Sequence, residues 1–270
     1  MGKRLFTIAH IFMATAMALL FNACLDENPK DKLEEDKFYT SADNLYINTI
    51  GNLYHKIGGH SDSQGLQGTY RGVYDYNTFS TDEAMLPIRG GDWYDGGFWQ
   101  NLYLHKWTST DLSLLNTWNY LYGSVALCNH ALYEIDLHKQ LLSDKQYKEY
   151  TAETRGLRAL FYFYIMDMWG NVPLVIQEGV ALKDVKPSTR KKVTTTLINE
   201  LLAAIPYLPN AHSNHKGNYY GRFTRPVAYF LLAKILLNHE VYLHDDTLTF
   251  DINGQKLKAL EACIACCDKI

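Results

Sequence analysis

From Asp111 to the last residue, apolar side chains recur in steps of three and four, and that spacing admits little besides helices packed on one another. Leu115, Trp118, Tyr122, Val125, Asn129 and Leu132 form one such stripe, opened by Asp111. Ser143-Asp-Lys-Gln146 reads as a capping box. The helix it opens carries Tyr147, Tyr150, Leu157, Leu160, Phe161, Tyr164 and Met168 and stops at Gly170, before Pro173. A helix from about Thr189 runs through Val193, Leu197, Leu201 and Ile205 to Pro206. Thr224-Arg-Pro226 starts the next, with proline in its first turn and Ala228, Leu232, Ile235 and His239 on one face. A last helix is expected from near Gln255, through Leu260, Ile264 and Cys267. Before them, Ser41 caps a helix bearing Tyr46, Ile50, Leu53, Tyr54 and Ile57, which Gly58-Gly59 ends. Val172–Ile176 is the one short strand candidate. The expected fold class is therefore all-α: antiparallel helical hairpins stacked as a tetratricopeptide-type solenoid, a right-handed superhelix. From about residue 60 to 107 this order gives way to a Gly- and aromatic-rich irregular stretch.

The N-terminus reads as a targeting segment. Lys3 and Arg4 precede a stretch from Leu5 to Phe21 broken only by Thr7, His10 and Thr15, marginal for a permanent span but suited to a secretory signal. Leu20-Phe21-Asn22-Ala23-Cys24 resembles a bacterial lipobox, so residues 1–23 are expected to be a signal peptide and Cys24 to be lipidated. Residues 24–37 would then be the lipidated cysteine and an acidic tether. Six acids against two lysines in Leu25–Asp36 cannot form a core, and these residues reach at most ~40 Å when extended. Asp26 and Glu27, just behind the cysteine, resemble the export signal of surface-bound lipoproteins in Bacteroidota. Residues 38–270 make up the helical domain.

Loss of residues 1–23 removes Lys3 and Arg4 and leaves 24 basic against 29 acidic side chains, a formal charge of −5. That balance argues against nucleic acid as a partner. Tyrosine is abundant, with 20 residues against 7 prolines, and it favours wet binding surfaces.

The residues suited to a ligand lie between Arg71 and Trp107. Three of the five tryptophans (Trp93, Trp99, Trp107) occur here with Tyr94, Phe98 and Tyr103. Glycines at 90, 91, 96 and 97 let the backbone bend and approach a ligand. A pyranose offers one apolar C–H face and a rim of hydroxyls, which suits an aromatic platform edged by carboxylates, amides and arginine. Arg89, Asp92, Trp93, Tyr94, Asp95, Trp99 and Asn101 are the expected glycan-binding residues. Packing of the same aromatics onto the helices is the competing expectation for all of them, stronger for Trp99 and Trp107 than for Trp93 and Tyr94.

Asp82, Glu83, Asp92 and Asp95 do not by themselves establish the acid–base separation that glycoside hydrolysis needs. No P-loop, dinucleotide fingerprint or nucleophile elbow is present, and neither a catalytic residue nor a cofactor is expected. Cys263, Cys266 and Cys267 read as small apolar residues on a helix face, and His212-x-x-His215 lacks a third ligand, so no metal site is expected. Glu153, Arg155 and Arg158 are not at the favoured i,i+4 spacing and are expected to bond neighbouring helices or loop carbonyls; Asn129, in an apolar seam, needs buried partners.

Several segments together resemble the SusD/RagB family of outer-membrane nutrient-binding lipoproteins. They are Cys24 with its acidic tether, Phe38-Tyr39 and the Leu45–Tyr54 helix; Thr81-Asp-Glu-Ala-Met-Leu-Pro-Ile-Arg-Gly-Gly-Asp-Trp-Tyr-Asp-Gly-Gly97; and Trp118-x-x-x-Tyr122 leading to Cys128-Asn129. Further on come Glu153-Thr-Arg-Gly-Leu-Arg-Ala-Leu-Phe-Tyr162, closing with Trp169-Gly-Asn-Val-Pro-Leu174, and Gly221-Arg-Phe-Thr-Arg-Pro-Val-Ala228 through Leu232-Ala-Lys234. The resemblance implies an α-helical fold with four tetratricopeptide-like helix pairs and a more irregular ligand-binding part. It implies capture of a glycan at the cell surface and its delivery to a TonB-dependent, SusC-like transporter, with the protein lipid-anchored in the outer membrane through Cys24. A subunit of the transporter complex without its own sugar site is the alternative. Family members are longer, so the C-terminal part of the family fold is expected to be missing after Ile270.

Overall fold

The computed structural model describes residues 38–58, 65–67 and 71–270. The expected signal peptide (1–23), Cys24 and the acidic tether (24–37) lie outside them. Of the N-terminal unit that ends at Tyr39, Phe38 and Tyr39 are described, and their rings meet edge-on at 5.0 Å.

The unit from Thr40 onward is helical in the places where the periodicity is strongest. Ser41 Oγ accepts the Asn44 amide at 3.2 Å and opens α1 (Ala42–Tyr46). A π-helical stretch, Ile47–Gly51, joins it to α2 (Asn52–Gly58). Two short helices, α3 (Val73–Phe79) and α4 (Phe98–Tyr103), punctuate the stretch expected to be irregular. α5 (Leu112–Leu137) follows Asp111. Ser143 and Gln146 exchange the two capping-box bonds at 3.3 and 3.0 Å at the head of α6 (Asp144–Trp169), which Gly170 ends. β1 (Val172–Pro173) pairs antiparallel with β2 (Pro187–Ser188). α7 (Arg190–Ala204) is capped by Thr189, and α8 (Arg225–Leu237) starts with Pro226 in its first turn. After α9 (His239–Tyr242), the hairpin of β3 (Thr249–Ile252) and β4 (Gln255–Lys258) precedes α10 (Ala259–Cys267).

The helices stack in chain order: α5 on α6, α6 on α7, α7 on α8 and α8 on α10, with α2 and the π-helical stretch against α5. This is the expected all-α, tetratricopeptide-like arrangement; the strands are two short ribbons at its connections.

Three local expectations are corrected. The last helix starts at Ala259, because residues 255–258 pair with β3. Asn253 and Gly254 both take positive φ, 53° and 83°, which is the backbone a two-residue hairpin turn requires, and Phe250 and Ile252 alternate into the core. The helix that starts at Thr224-Arg-Pro226, α8, ends at Leu237 rather than running on to His239; Asn238 leaves helical geometry and bonds back to the Lys234 carbonyl at 3.0 Å. The strand candidate Val172–Ile176 pairs only over its first two residues. Beyond them, the Tyr162 hydroxyl takes the Val175 amide at 2.7 Å and draws the chain away.

α6 is the centre of the unit from Thr40 onward. Leu157, Phe161, Tyr162, Ile165 and Met166 are fully buried, and so is Glu153. A helix buried on most of its surface must satisfy its charged groups within the protein. Two networks do this. Glu153 accepts from the Tyr46 hydroxyl at 3.0 Å, from the Tyr54 hydroxyl, and from Arg222 Nε and Nη2 at 3.1 and 2.5 Å. The Tyr54 oxygen in turn accepts the Phe223 amide at 2.6 Å. Burial, and then the Glu153 charge, push both tyrosine hydroxyls far above their usual range. For Arg222, burial would lower the pKa; the Glu153 hydrogen bond and charge outweigh it and hold the guanidinium above its usual range.

In the second network Arg158 bonds the Glu200 carboxylate, the Asn129 side chain at 2.7 Å and the Ile176 carbonyl at 2.7 Å. The Asn129 amide donates to the Val175 carbonyl at 3.0 Å. Glu153, Arg158 and Asn129 thus bond neighbouring helices and loop carbonyls, as their sequence setting required. Arg155 is exposed.

Gly156, between these networks, lets Phe223 close on α6. A Cβ there would lie 2.2 Å from Phe223 Cε1 and 2.5 Å from Cδ1. The ring is 2% exposed and its backbone is tied to Tyr54, so it has nowhere to retreat. Alanine is the better helix former by about 0.8–1 kcal/mol, but overpacking of this kind costs typically 1–3 kcal/mol. We expect Gly156→Ala to be destabilising by about 1–2 kcal/mol in urea unfolding; a gain in stability would show the contact to be soft.

Candidate functional site

The Gly- and aromatic-rich stretch builds a small second core before it builds a surface. Tyr76 from α3 and Trp99 and Leu102 from α4 bury one another, with Phe79, Leu86, Phe98, Leu114 and Met168 packed around them. Trp99 is 6% exposed, its ring edge-on to Phe79 at 5.2 Å and to Phe98 at 4.9 Å. Its expected role as a stacking platform is corrected: burial closes its faces to a ligand. Its indole Nε1 donates to Asp95 Oδ2 at 2.6 Å, so Trp99 positions Asp95.

Around this core the chain presents the other expected residues. Arg89 and Asp92 exchange both backbone hydrogen bonds, at 3.2 and 3.0 Å, and close a tight turn with Gly90 at φ 64°. Trp93 and Tyr94 leave the turn 52% and 56% exposed. The turn is tied to α4 by Gln100, whose Nε2 donates to the carbonyls of Leu86 and Trp93 at 3.0 and 3.2 Å. The Trp93 ring rests edge-on near Trp99 at 6.1 Å. Gly97, at φ 84°, allows the chain to enter α4 directly after this turn.

A cleft of about 650 Å³ opens beside α4 and the start of α5, lined by Arg71, Asp95, Phe98, Asn101, Trp107 and Asp111 among others. Asp95, Asn101 and the edge of Trp99 therefore meet in one place, whereas Arg89, Asp92 and Tyr94 stay on the adjoining turn. Arg71 joins Asp95 at 3.4 Å and lies over the Phe98 ring at 4.9 Å. Its own amide donates to Asp75 Oδ2 at 2.6 Å, and burial raises the Asp75 pKa. Asp111 is held by the Thr108 amide and hydroxyl at 3.0 and 3.1 Å. Trp107 is 38% exposed.

Four of the six described non-glycine residues with positive φ lie here: Arg71, Trp93, Asp95 and His105. Each such residue costs of order 1–3 kcal/mol and persists only where its surroundings over-determine it, a pattern found at ligand clamps. Sequence reasoning selected neither Arg71 nor Asp111 nor Asn116, another residue of the cleft wall. Asp111 carried a signal, but as a helix start; Arg71 carried none, since its partner Asp95 is reached only through the fold.

The cysteines on α10 and α5 are packing residues. Cys263 and Cys266 are buried on α10, with the Cys266 thiol pushed up to about 12 by burial and then by its neighbouring thiols, while Cys267 is exposed. Burial keeps Cys128 protonated as well. His212 and His215 face each other at 5.3 Å. Among the described residues no group of three or more His, Cys, Asp or Glu side chains is placed to hold a metal, and no helix is long and apolar enough to cross a membrane.

Comparison with known proteins bears on the family and the fold. Residues 62–237 match the SusD-like family model described as starch-binding and associating with the outer membrane. A SusD-like protein of Bacteroides ovatus is 28% identical over 245 residues, 87% of this chain and 40% of that protein. SusD-like protein P25 of Formosa agariphila is 22% identical over 222 residues, 80% of this chain and again 40% of its own length. The chain thus spans about 40% of the length of these curated relatives. Among solved structures, a SusD homologue from Bacteroides thetaiotaomicron superimposes with a TM-score of 0.63 at 22% identity, covering 77% of this chain and 38% of that one. A laminarin-binding SusD-like protein gives 0.58 at 24% identity, covering 75% and 41%. Surface glycan-binding protein A of Bacteroides thetaiotaomicron, in complex with laminarihexaose, gives 0.60 at 20% identity, covering 75% and 40%. With the family model spanning well over half its length, this chain belongs to the SusD-like family of starch-binding proteins that associate with the outer membrane.

Proposed function

We propose that this chain is part of a cell-surface lipoprotein that captures a glycan and passes it to a TonB-dependent, SusC-like transporter in the outer membrane. The observation that carries this reading is the turn 89–95. It holds Trp93 and Tyr94 in solvent on a backbone fixed by Gln100, next to a cleft with Arg71, Asp95 and Asn101 on its walls. Large aromatics are exposed here because the fold props them out. Fixed aromatic area beside paired donors and acceptors suits a sugar ring. Asp95 is committed to Trp99 and Arg71 and so supplies orientation more readily than acid–base chemistry, which favours binding over hydrolysis. Lipidation at Cys24, with residues 24–37 as tether, would hold the domain within ~40 Å of the membrane.

Two structurally similar proteins bind laminarin or laminarihexaose, which makes laminarin the first glycan to test. Isothermal titration against a polysaccharide panel should show binding that Trp93→Ala/Tyr94→Ala weakens at least about tenfold, roughly 1.4 kcal/mol. Trp99→Ala should instead lower thermal stability. Binding that ignores the double substitution would move the site elsewhere. Co-purification with a transporter in the absence of any glycan binding would favour the reading as a scaffold subunit.

A further inference from the structure

We propose a second carbohydrate-binding site, at the end of α6 remote from the first. A concavity of about 700 Å³ lies between the first turns of α6 and the segment that follows α7, lined by Asp144, Lys148, Glu149, Tyr207, Pro209 and Asn210 among others. Tyr207 is 51% exposed, and the Lys148 ammonium stands 5.9 Å from its ring centre.

The exposure of Tyr207 is built into the loop. Arg225 spends its guanidinium on three backbone carbonyls: Nε to Ile205 at 3.0 Å, and Nη2 to Pro206 at 3.2 Å and Leu208 at 3.1 Å. Its amide donates to the Pro209 carbonyl at 2.9 Å, and Ile205 and Leu208 are buried on either side of the tyrosine. A loop clamped at four consecutive or nearly consecutive carbonyls has little conformational freedom left to lose when a ligand arrives. An exposed ring on such a loop is a preorganised platform.

The polar groups around it point to an uncharged, hydroxyl-rich ligand. Asp144 and Asn210 supply acceptors, Lys145 and Lys148 donors, and the two signs nearly cancel at the rim. Glu149 is turned toward Arg222 at 3.3 Å. An apolar ring face bounded by mixed donors and acceptors matches a pyranose by the same chemistry as the first site. The class of ligand rests on the glycan reading above; the geometry of this second site does not.

Met168 packs beside Trp99 near the first site, and Glu149 lines the second. At about 1.5 Å per residue, α6 separates them by roughly 28 Å. A polysaccharide long enough to touch both gains effective concentration, whereas a short oligosaccharide does not.

The test is native affinity electrophoresis of the purified chain in gels containing laminarin, soluble starch, xylan or galactomannan. The variants are Tyr207→Ala, Asn210→Ala, Trp93→Ala/Tyr94→Ala and the triple Tyr207→Ala/Trp93→Ala/Tyr94→Ala, each checked by circular-dichroism melting. The expected result is retardation of the parent by at least one polymer, an affinity about tenfold lower in Tyr207→Ala, and complete loss only in the triple variant. If Tyr207→Ala and Asn210→Ala migrate as the parent does, and the triple is no weaker than the double, the second site is overturned and the first stands. If Tyr207→Ala abolishes retardation and the double substitution does nothing, the first site falls and the second stands. No retardation of the parent by any of the four polymers overturns both.

Discussion

Arg158→Ala is expected to lower the stability of the chain by about 3–5 kcal/mol, the cost of stranding a buried charge by removing its partner. Its side chain is 3% exposed and that of Glu200 14%. One truncation leaves the Glu200 carboxylate without its cation, the Asn129 oxygen without its donor and the Ile176 carbonyl unpaired. For a unit of this size each kcal/mol moves the melting temperature by about 2–4 °C, so a drop of roughly 6–20 °C should be seen. Two companions make the result specific. Arg155→Ala, on the exposed side of the same helix, should stay within about 0.5 kcal/mol of the parent. Arg158→Lys should recover only part of the loss, because an ammonium cannot span a carboxylate, an amide and a carbonyl as the planar guanidinium does. Hydrogen exchange should quicken at residues 174–178, which Arg158 and Asn129 hold to α5 and α6. A variant as stable as the parent would mean that the network is wetter than its burial indicates.

The second large effect is expected at Arg222. It is 21% exposed, so water relieves part of its loss, but its partner Glu153 is fully buried. Arg222→Ala should cost about 3 kcal/mol, at the lower end for a broken buried pair, measured as a shift of the urea midpoint with unchanged slope. Arg222 also stacks on the rings of Tyr46 and Tyr219, at 4.7 and 4.9 Å, so packing alone would explain some loss. Glu153→Gln in the Arg222→Ala background separates the two causes. If the stranded charge dominates, the double variant is more stable than Arg222→Ala alone; if packing dominates, it is no better. The network ties α1 and α2 to α6 and to the segment before α8, so it governs how the N-terminal helices sit on the solenoid.

Much of the scaffold was legible because helix formation is local. The stripes on α5, α6, α7 and α8, the capping box at Ser143 and the proline at the start of α8 are all relations between residues a few positions apart. The misreadings were also local, and one had a visible signal. Asn253-Gly254 is a strong two-residue hairpin signature, and reading the apolar periodicity of α10 back to Gln255 overruns β4, the strand that this turn implies. The end of α8 at Asn238 is a weaker case, decided by one side chain bonding back to its own helix.

The site was legible in composition but not in detail. A stretch with three tryptophans and five glycines announces an unusual surface, and the turn 89–95 does present Trp93 and Tyr94 to solvent. Nothing in the spacing says that Trp99, six residues from Trp93, is the one that turns inward. That choice depends on Tyr76, Phe79 and Met168 meeting it from elsewhere in the chain.

By itself, then, the sequence determined a stack of helical hairpins and an irregular aromatic segment before the longest of them; the lipoprotein leader it suggests belongs to the proposal, outside the described residues. These follow from periodicity, caps and composition, each set within a turn or two of chain. The tertiary structure decided which aromatics are core and which are platform, that Arg71 and Asp111 share a cleft with Asp95, and that Glu153 and Arg158 find their partners in Arg222 and Glu200. The reason is physical: burial and charge pairing are properties of the space around a side chain, and that space is filled by residues 18 to 107 positions away in these networks.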